Sequence, residues 1–366
     1  MALKGIKSTL VAIFSAFLSL FVTDILAQEP HQPAGHEVEA KHEEGKFNIT
    51  ETIMDHVRDS YGWHLWGHTS VPLPVILYTD KGMEVFSSSN LVDEHHNAVI
   101  YKGNNNYKLN HKSGKIDIVA EDGTINKEAT LYDISITKNV ATLMLSMILV
   151  CVIFLSIAKA YKKTGVTSAP KGLQSFLEPI ILFVRDDIAK PNIGAKYAKY
   201  MPLLLSIFFF IWLNNLLGLI PFFPGGANLS GNIAFTMVLA LIVFIVVNLS
   251  ANKAYWKHIF WMPGVPVPMK IFLAPIELLG VFIKPVSLMI RLFANITAGH
   301  ILVLALICLI FVFKAILAAA VAVPFAAFIY CIELLVAFLQ AFIFTMLTAL
   351  YIGMAVEEHH HEEAHH

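Results

Sequence analysis

Long apolar stretches, each bounded by charged or turn-forming residues, dominate the chain after about residue 138. A stretch of about 20 apolar residues is long enough to cross a bilayer as a helix. Five such stretches cover residues 140–158, 201–221, 233–250, 274–313 and 315–356. The pattern therefore predicts an all-α polytopic membrane domain over residues 139–356, with about five membrane-crossing helices.

Residues 173–190 have a different pattern, in which an apolar cluster is interrupted by Arg185, Asp186 and Asp187. Such a mixture is typical of a helix that lies along the membrane surface. We therefore predict one interfacial helix between the first and second membrane crossings.

The last two apolar stretches are too long to stand upright in a membrane. As a helix, residues 274–313 measure roughly 60 Å, whereas the hydrocarbon core is about 30 Å thick. That helix must kink at Pro275 or Pro285 or tilt by about 60°, and the last helix has the same problem, with Pro324 as a candidate break. The pattern predicts a long, steeply tilted hairpin that presents a wide flank to a neighbouring protein rather than to lipid.

The N-terminus has the pattern of a secretory signal peptide. Lys4 and Lys7 precede an apolar run over residues 8–23, and Ile-Leu-Ala at 25–27 precedes the polar Gln28. The alternative is a retained anchor helix, but a run of about 16 residues is short for a membrane span. We predict a signal peptide over residues 1–27 and a mature chain that begins outside the cytoplasm.

A polar extension over residues 28–138 separates this signal from the membrane domain. Residues 28–46 are too poor in large apolar side chains to pack and are predicted to be disordered. Alternating runs at 98–101 and 115–119, separated by turn residues, predict a small β-rich or mixed extracytoplasmic module. We interpret the histidines of this module as surface residues rather than metal ligands, because none has a partner at ligand spacing. These histidines include His64, His68, His95 and His96.

The distribution of positive charge gives the orientation independently. The loops over residues 159–199 and 253–270 carry eleven Lys or Arg, whereas the loops on the other side carry one, Lys314. Since cytoplasmic loops are enriched in Lys and Arg, this asymmetry predicts an outside N-terminus and a cytoplasmic C-terminus. The His- and Glu-rich tail over residues 357–366 does not contain six consecutive histidines, so we interpret it as a native, solvated cytoplasmic tail rather than a tag, with weak metal affinity as a second alternative.

Composition supports the membrane assignment. Hydrophobic residues make up 56% of the chain, charged residues 14%, and the mean hydropathy is +0.64, which excludes a soluble globular protein. The formal net charge of -1 gives no basic surplus for nucleic acid, and the sequence contains no glycine-rich phosphate loop. Cys151, Cys308 and Cys331 all lie in apolar runs, so no disulfide framework or zinc site is expected. We expect no cofactor and no bound metal.

The long hairpin holds polar and ionisable residues at membrane depth. A charge at the bilayer centre costs about 2.5 to 3.5 kcal/mol, so each of these residues is a functional candidate. They are Glu277, Lys284, Arg291, Asn295, His300, Glu333 and Gln340. Arg291 is near the middle of its helix, too far from either end for its side chain to reach the membrane surface.

Helical phase divides the residues of the first long helix. At about 100° per residue, three of them fall within about 40° of Arg291, namely Glu277, Lys284 and Asn295. His300 lies on the opposite side of the same helix. Phase therefore predicts one polar face around Arg291 and a separate position for His300.

On the last helix, Glu333 and Gln340 are seven residues apart and nearly in line. Both can meet the preceding helix across the hairpin. We interpret Glu333 and His300 as a proton-path pair, with simple charge neutralisation as the alternative, and for Gln340 the alternative is a bond to the backbone.

Three strings in this region resemble the signature of a known family. They are PVSLMIRLFANITAGH from Pro285 to His300, ELLVAFLQAFIFTMLT from Glu333 to Thr348, and NNLLGLIP from Asn214 to Pro221. The strings resemble subunit a of F-type ATP synthases, the stator channel subunit of the F0 sector. The similarity covers roughly residues 140–356, so the extension over 28–138 has no counterpart in that core.

The resemblance implies a role for several residues. Arg291 would be the essential cation that faces the carboxylates of the rotating c-ring. Glu277 and Asn295 are associated with the cytoplasmic half-channel, and His300 and Glu333 with the outward half-channel. Gln340 would pack near the arginine, and Asn214 is a further candidate for lining a half-channel. Lys284 departs from the family pattern, because it adds a cation to the Arg291 face. The two interpretations of Lys284 are that it lines the inner half-channel or that it reaches the cytoplasmic headgroups.

The resemblance also implies partners and a location. The chain would not be catalytic by itself; it would couple the flow of protons or Na+ to ring rotation and ATP synthesis in a bacterial inner membrane. Its partners would be the c-ring subunits, the b subunits of the peripheral stalk, the remaining F1F0 complex and membrane lipid. Two alternatives from other classes are a secondary transporter with a midplane substrate site and a sensor whose external module binds a ligand or metal.

Overall fold

The computed structural model describes residues 53, 57–66, 69–93, 98–110, 113–120, 124–126, 129–164, 169, 171–220, 225–313 and 316–357. The predicted signal peptide, the predicted disordered stretch and the histidine-rich tail after Glu357 lie outside these residues. His68, His95, His96 and the side chain of His64 also lie outside them.

The N-terminal module is built from short antiparallel strands, which confirms the β-rich prediction. β1 and β2 form a hairpin, β3 pairs with β4 and β8, and β6 pairs with β5 and β7. The strands are β1 Gly62–Trp66, β2 Thr69–Pro72, β3 Pro74–Thr79, β4 Gly82–Ser87, β5 Tyr101–Lys102, β6 Asn106–Asn110, β7 Lys115–Val119 and β8 Leu131–Asp133.

The two three-stranded sheets of the module pack face to face. Val75 and Leu77 of β3 are fully buried, and so is Tyr107 of β6 from the other sheet. Phe86 of β4 stacks on Tyr101 of β5, with ring centroids 4.2 Å apart. Alternate residues of each strand therefore share one small core, as expected for strands with a period of two.

After the module the chain is helical, and five helical stretches are long and apolar enough to cross a membrane. This confirms the predicted polytopic α-helical domain. The helices are α1 Lys138–Thr164, α2 Leu173–Phe183, α3 Lys190–Ile193, α4 Tyr197–Leu219, α5 Ile233–Ser250, α6 Lys253–Phe260, α7 Val267–Phe313 and α8 Ile316–Val356.

α7 and α8 form the predicted long antiparallel hairpin. With 47 and 41 residues, they measure roughly 70 Å and 60 Å, about twice the hydrocarbon thickness. Each helix runs through its prolines without a break, so the predicted break at Pro324 is wrong. Neighbouring helices and local adjustment can satisfy the carbonyl groups that an internal proline leaves free. α7 also begins seven residues earlier than the predicted start at 274.

The charged stretch after α2 is a π-helical segment, Val184–Ala189, which leads into α3. Val184 and Ile188 of this segment are buried, and Phe183, the residue just before it, lies 5.6 Å from Phe342 of α8 between ring centroids. Gly353 of α8 touches the backbone of Asn192, and a Cβ at this glycine would lie 1.8 Å from the Asn192 carbonyl oxygen. The placement of this stretch at the membrane surface stays a prediction.

The module contacts the membrane domain through two sets of hydrogen bonds. At the start of α1, the backbone N–H groups of Lys138 and Asn139 donate to the Ser60 carbonyl and to Asp59 Oδ1. Farther along the chain, the indole Nε1–H of buried Trp63 donates to the Gly225 carbonyl at 3.1 Å. The module therefore lies against the loop between α4 and α5 as well as against α1.

Candidate functional site

A cavity lies between α4, α7, α8 and the loop before α5, on the side of the module. We call it the first cavity, and its volume of about 130 Å³ is enough for several water molecules. Its polar lining consists of Asn215, Asn228, Asn295, His300 and Glu333.

Glu333 brings a carboxyl group to this cavity from α8. The residue is only 9% exposed, and its Oε2 has no hydrogen-bond partner among the described residues. A buried carboxyl oxygen without a protein partner is costly unless water or a proton occupies it. The first cavity provides space for that water.

Gly299 on α7 makes room for the carboxyl group of Glu333. A Cβ at this glycine would lie 2.5 Å from Glu333 Oε1, closer than any ordinary contact. The absent side chain therefore lets an acidic group from α8 approach the backbone of α7, next to His300.

Asn295 and His300 both line the first cavity. Helical phase had separated these two residues, and the resemblance had assigned Asn295 to the other half-channel. The structure brings them together because the cavity is wide, and because α8 and the loop at Asn228 close it from the other side. The helical phase of α7 alone cannot show which of its residues α8 and this loop enclose in one cavity.

A second, smaller cavity of about 20 Å³ lies near the open end of the hairpin. Lys284, Tyr351, Tyr255 and Asn248 line it together with apolar groups. The Lys284 ammonium lies 5.6 Å from the centroid of the Tyr351 ring, which is within the range of a cation–π contact. Lys284 thus lies close to the face of an aromatic ring and also lines a cavity large enough for a water molecule.

Tyr255 of the short helix α6 connects this cavity with Glu277. Burial, with a smaller effect of the Glu277 charge, raises the pKa of the Tyr255 phenol to about 12. The sequence patterns did not predict α6 or single out Tyr255. The signal that could have revealed this helix is the apolar pair Trp256 and Ile259, three residues apart, which are both buried.

Arg291 lies on α7 between the two cavities. The second cavity reaches Pro285 and the first begins at Asn295, so Arg291 is roughly 9 Å and 6 Å from these positions along the helix axis. The side chain is half-buried, and no carboxylate among the described residues lies within 4.0 Å of it. The described part of the chain thus gives this cation no ion-pair partner.

Gln340 is at the level of Arg291 on the opposite helix. Since Gly299 touches Glu333, eight residues back along α7 and eight forward along α8 bring Arg291 level with position 341. Gln340 is buried, with 3% of its surface exposed, and lines neither cavity.

Asn214 and Asn215 are adjacent on α4 but make different hydrogen bonds, which the sequence did not indicate. The Asn214 amide donates to the Phe210 carbonyl of its own helix at 2.7 Å. Asn215 lines the first cavity, donates to the Ala337 carbonyl at 3.2 Å and accepts from Ser230 Oγ at 2.5 Å. Asn215 therefore ties α4 to α8 and to the loop before α5.

These features define a class of protein. It is a polytopic helical membrane protein that holds ionisable groups and water-sized cavities inside its longest hairpin, an arrangement typical of proteins that move ions. No cluster of three or more potential metal-ligating His, Cys, Asp or Glu occurs in the described ranges.

Comparison with known proteins gives the family. Residues 140–353 match the family described as ATP synthase A chain. ATP synthase subunit a 2 of Chlorobaculum tepidum is 46% identical over 244 residues, which cover 65% of this chain and 67% of that protein. ATP synthase subunit a of Chloroherpeton thalassium is 46% identical over 238 residues, which cover 64% of this chain and 71% of that protein. The chain belongs to the ATP synthase subunit a family.

Membership in this family makes the chain a membrane subunit that is not catalytic by itself and serves ion transport in ATP synthesis. The extension also has relatives. Residues 52–136 match a domain of unknown function, DUF8433. ATP synthase subunit a of an Anaeromyxobacter species is 35% identical over 350 residues, which cover 92% of this chain and 77% of that protein. Since that alignment leaves only 8% of this chain uncovered, it includes most of the extension.

Proposed function

We propose that this chain is the ion-conducting stator subunit of F0 and that Arg291 is the cation that meets the carboxylates of a rotating c-ring. The observation that carries this proposal is the position of Arg291 between two cavities that lie roughly 15 Å apart along α7. A half-buried guanidinium keeps its charge at any accessible pH and needs a counter-charge. Because the described part of the chain offers none within ion-pair distance, a neighbouring subunit is a suitable source.

The mechanism follows from the energetics of a charge in lipid. A ring carboxyl group must be neutral while it faces lipid, because a bare charge there is very costly. When it reaches Arg291, an attraction of about 4 kcal/mol at about 4 Å and an effective dielectric near 20 favours the ionised form by roughly a thousandfold. The proton then leaves through one cavity, and a new proton arrives through the other.

The first cavity is suited to the outward path. It lies on the side of the module, and Glu333, His300 and Asn295 surround space for several waters. Imidazole and carboxyl groups exchange protons with such water near neutral pH. We assign Asn295 to this path together with His300 and Glu333, because all three line one cavity.

The second cavity is suited to the inward path. Lys284 lines it, and the charge of Glu277 acts on Tyr255, which also lines it. We assign Gln340 to the region beside Arg291, because it is buried at the same level of the hairpin. We give Asn214 a structural role, because its amide bonds within α4 and it lines neither cavity.

The orientation of the chain in the membrane completes the proposal. The predicted signal peptide and the loop charges favour an N-terminus in the periplasm and a C-terminus in the cytoplasm of a bacterial inner membrane. The module, the first cavity and the turn of the hairpin then face the periplasm. The c-ring, the b subunits and the remaining F1F0 complex are the proposed partners.

The test is substitution of Arg291 in membranes that contain the whole ATP synthase. We expect Arg291→Ala to abolish ATP synthesis and ATP-driven proton pumping, because the ring carboxylate loses its counter-charge. The matched control is Ser287→Ala, one turn earlier on the same helix and outside both cavities. Normal ATP-driven pumping by the Arg291→Ala membranes, with equal amounts of the subunit present, contradicts the proposal.

A further inference from the structure

The N-terminal module carries an apolar sheet face that nothing in the described part of the chain covers. The face belongs to the sheet of β4, β3 and β8. In one row across the three strands, Met83 pairs with Tyr78, and Tyr78 pairs with Tyr132. In the next row, Val85 pairs with Ile76, and the Ile134 N–H donates to the Ile76 carbonyl at 2.9 Å.

The side chains of this outer face are strongly exposed. The exposed fractions are 52% for Tyr78, 66% for Met83, 56% for Val85, 61% for Tyr132 and 66% for Ile134. The two rows contain no charged residue. A solvated face of an antiparallel sheet normally alternates polar residues outward against apolar residues inward, so this face departs from the rule.

The other sheet of the module provides the contrast. On β6 and β7, the inward residues Tyr107, Ile116 and Ile118 fill the core. The outward positions between them are polar, and Lys108 lies opposite Asp117 in the strand register. One outer face of the module is therefore suited to water, whereas the other is not.

The chain itself indicates what covers the apolar face. Its outward residues on the β8 side are Tyr132, Ile134 and Ile136, and α1 begins two residues later at Lys138. At about 3.3 Å per extended residue, Ile134 is within roughly 13 Å of the start of the membrane span. The apolar strip thus continues into the exposed apolar side chains of α1, beginning with Val140 and Met144.

We propose that this sheet face lies on the outer surface of the lipid bilayer beside α1. α1 is the least covered of the short spans, since only 17% of its most apolar window is buried within the protein, so lipid is its natural environment. Tyr78 and Tyr132 suit the headgroup region, where amphipathic aromatic rings accumulate. Ile134, Met83 and Val85 supply the apolar surface that enters the acyl boundary.

Such docking gives the module a function that does not depend on the role of Arg291. It fixes the module on the membrane at one side while Trp63 holds the loop at Gly225 on another. The occupant is a phospholipid bilayer, identified by the absence of charge, the two tyrosines and the continuity with a membrane span.

The test uses a fluorophore at single cysteines in the assembled ATP synthase, reconstituted into phosphatidylcholine vesicles. Cys151, Cys308 and Cys331 are first replaced by alanine, since two of them are exposed. Met83→Cys and Ile134→Cys then carry a small environment-sensitive dye. Lys115→Cys, exposed on the other sheet, is the matched control.

We expect spin-labelled lipids to quench the dye at positions 83 and 134 several-fold more than at 115, and aqueous iodide to show the opposite order. Equal quenching at all three positions overturns the proposal. So does protection of 83 and 134 from both quenchers, because a protein subunit then covers the face. Neither outcome affects the assignment of Arg291, since ATP-driven pumping is measured separately.

Discussion

The contact between Gly299 and Glu333 leads to a prediction that can be worked out from the structure. In Gly299→Ala, the new Cβ would lie 2.5 Å from Glu333 Oε1 and 3.2 Å from its Cδ and Cγ. These distances are too short for carbon and oxygen atoms in contact, so the carboxyl group must move. The flexible end of the side chain will move more readily than the backbone of either helix.

The size of the effect follows from known energies of packing. An off-rotamer side chain costs about 0.5 to 1.5 kcal/mol, and overpacking of a core costs about 1 to 3 kcal/mol. A displaced carboxyl group no longer faces the first cavity, where it would exchange its proton. If the activation barrier of the rate-limiting proton transfer rises by about 1.4 kcal/mol, which is within these ranges, proton flux slows roughly tenfold. We therefore expect about tenfold slower ATP-driven pumping in Gly299→Ala membranes.

The assay is dye-reported acidification of inverted membrane vesicles, normalised to the amount of the subunit. Gly280→Ala is the matched control, because a Cβ at this position of the same helix meets nothing within 4 Å. Alanine is also the better helix former, so the control will not weaken α7.

A second substitution separates the effect on Glu333 from a general disturbance. In a Glu333→Ala background there is no carboxyl group to displace, so adding Gly299→Ala should change the flux no further. Equal pumping by Gly299→Ala and Gly280→Ala, or full additivity with Glu333→Ala, refutes the reasoning.

Two further predictions concern residues outside the hairpin. Trp63→Phe removes the donor to the Gly225 carbonyl, and leaving that buried group unpaired should cost about 1 to 3 kcal/mol. We expect faster protease cleavage between the module and the membrane domain in this variant. An unchanged cleavage rate contradicts the prediction. Tyr255 has a pKa raised from 10.0 to about 12, so its stabilising contribution is complete below pH 10 and is lost as the pH rises toward 12. Phenolate absorbance near pH 10 should therefore be nearly the same in wild type and in Tyr255→Phe, and Tyr255→Phe should flatten the fall in stability above that pH. A clear loss of phenolate absorbance near pH 10 in Tyr255→Phe contradicts this.

The membrane helices could be predicted from the sequence because their signal is local. α5, Ile233–Ser250, has the predicted ends, since eighteen consecutive residues of high hydropathy lie between the N-cap Asn232 and the extended residue Ala251. The start of α7 was missed because Val267 to Leu273 mix apolar residues with Pro268 and Lys270. A helix can include both at its first turns, where proline lacks only a hydrogen bond that the helix end does not use.

The candidate site could be predicted only in part, because it depends on contacts between distant segments. The charge of Arg291 and its depth are visible in the sequence. That Asn295 and His300 share a cavity depends on α8 and on Asn228, which no periodicity on α7 reports. Asn215 was passed over in favour of Asn214, since only the folded chain distinguishes an amide that crosses to Ala337 from one that bonds within its own helix.

The continuity of α7 fixes the interval between the two cavities in sequence terms. One uninterrupted run of helix passes both cavities and carries Arg291 between them. Because a helix rises by about 1.5 Å and turns by about 100° per residue, a one-residue insertion between Pro285 and Asn295 would shift and rotate one cavity's lining relative to the other. The length of this interval is therefore part of the site, even where its individual side chains touch neither cavity.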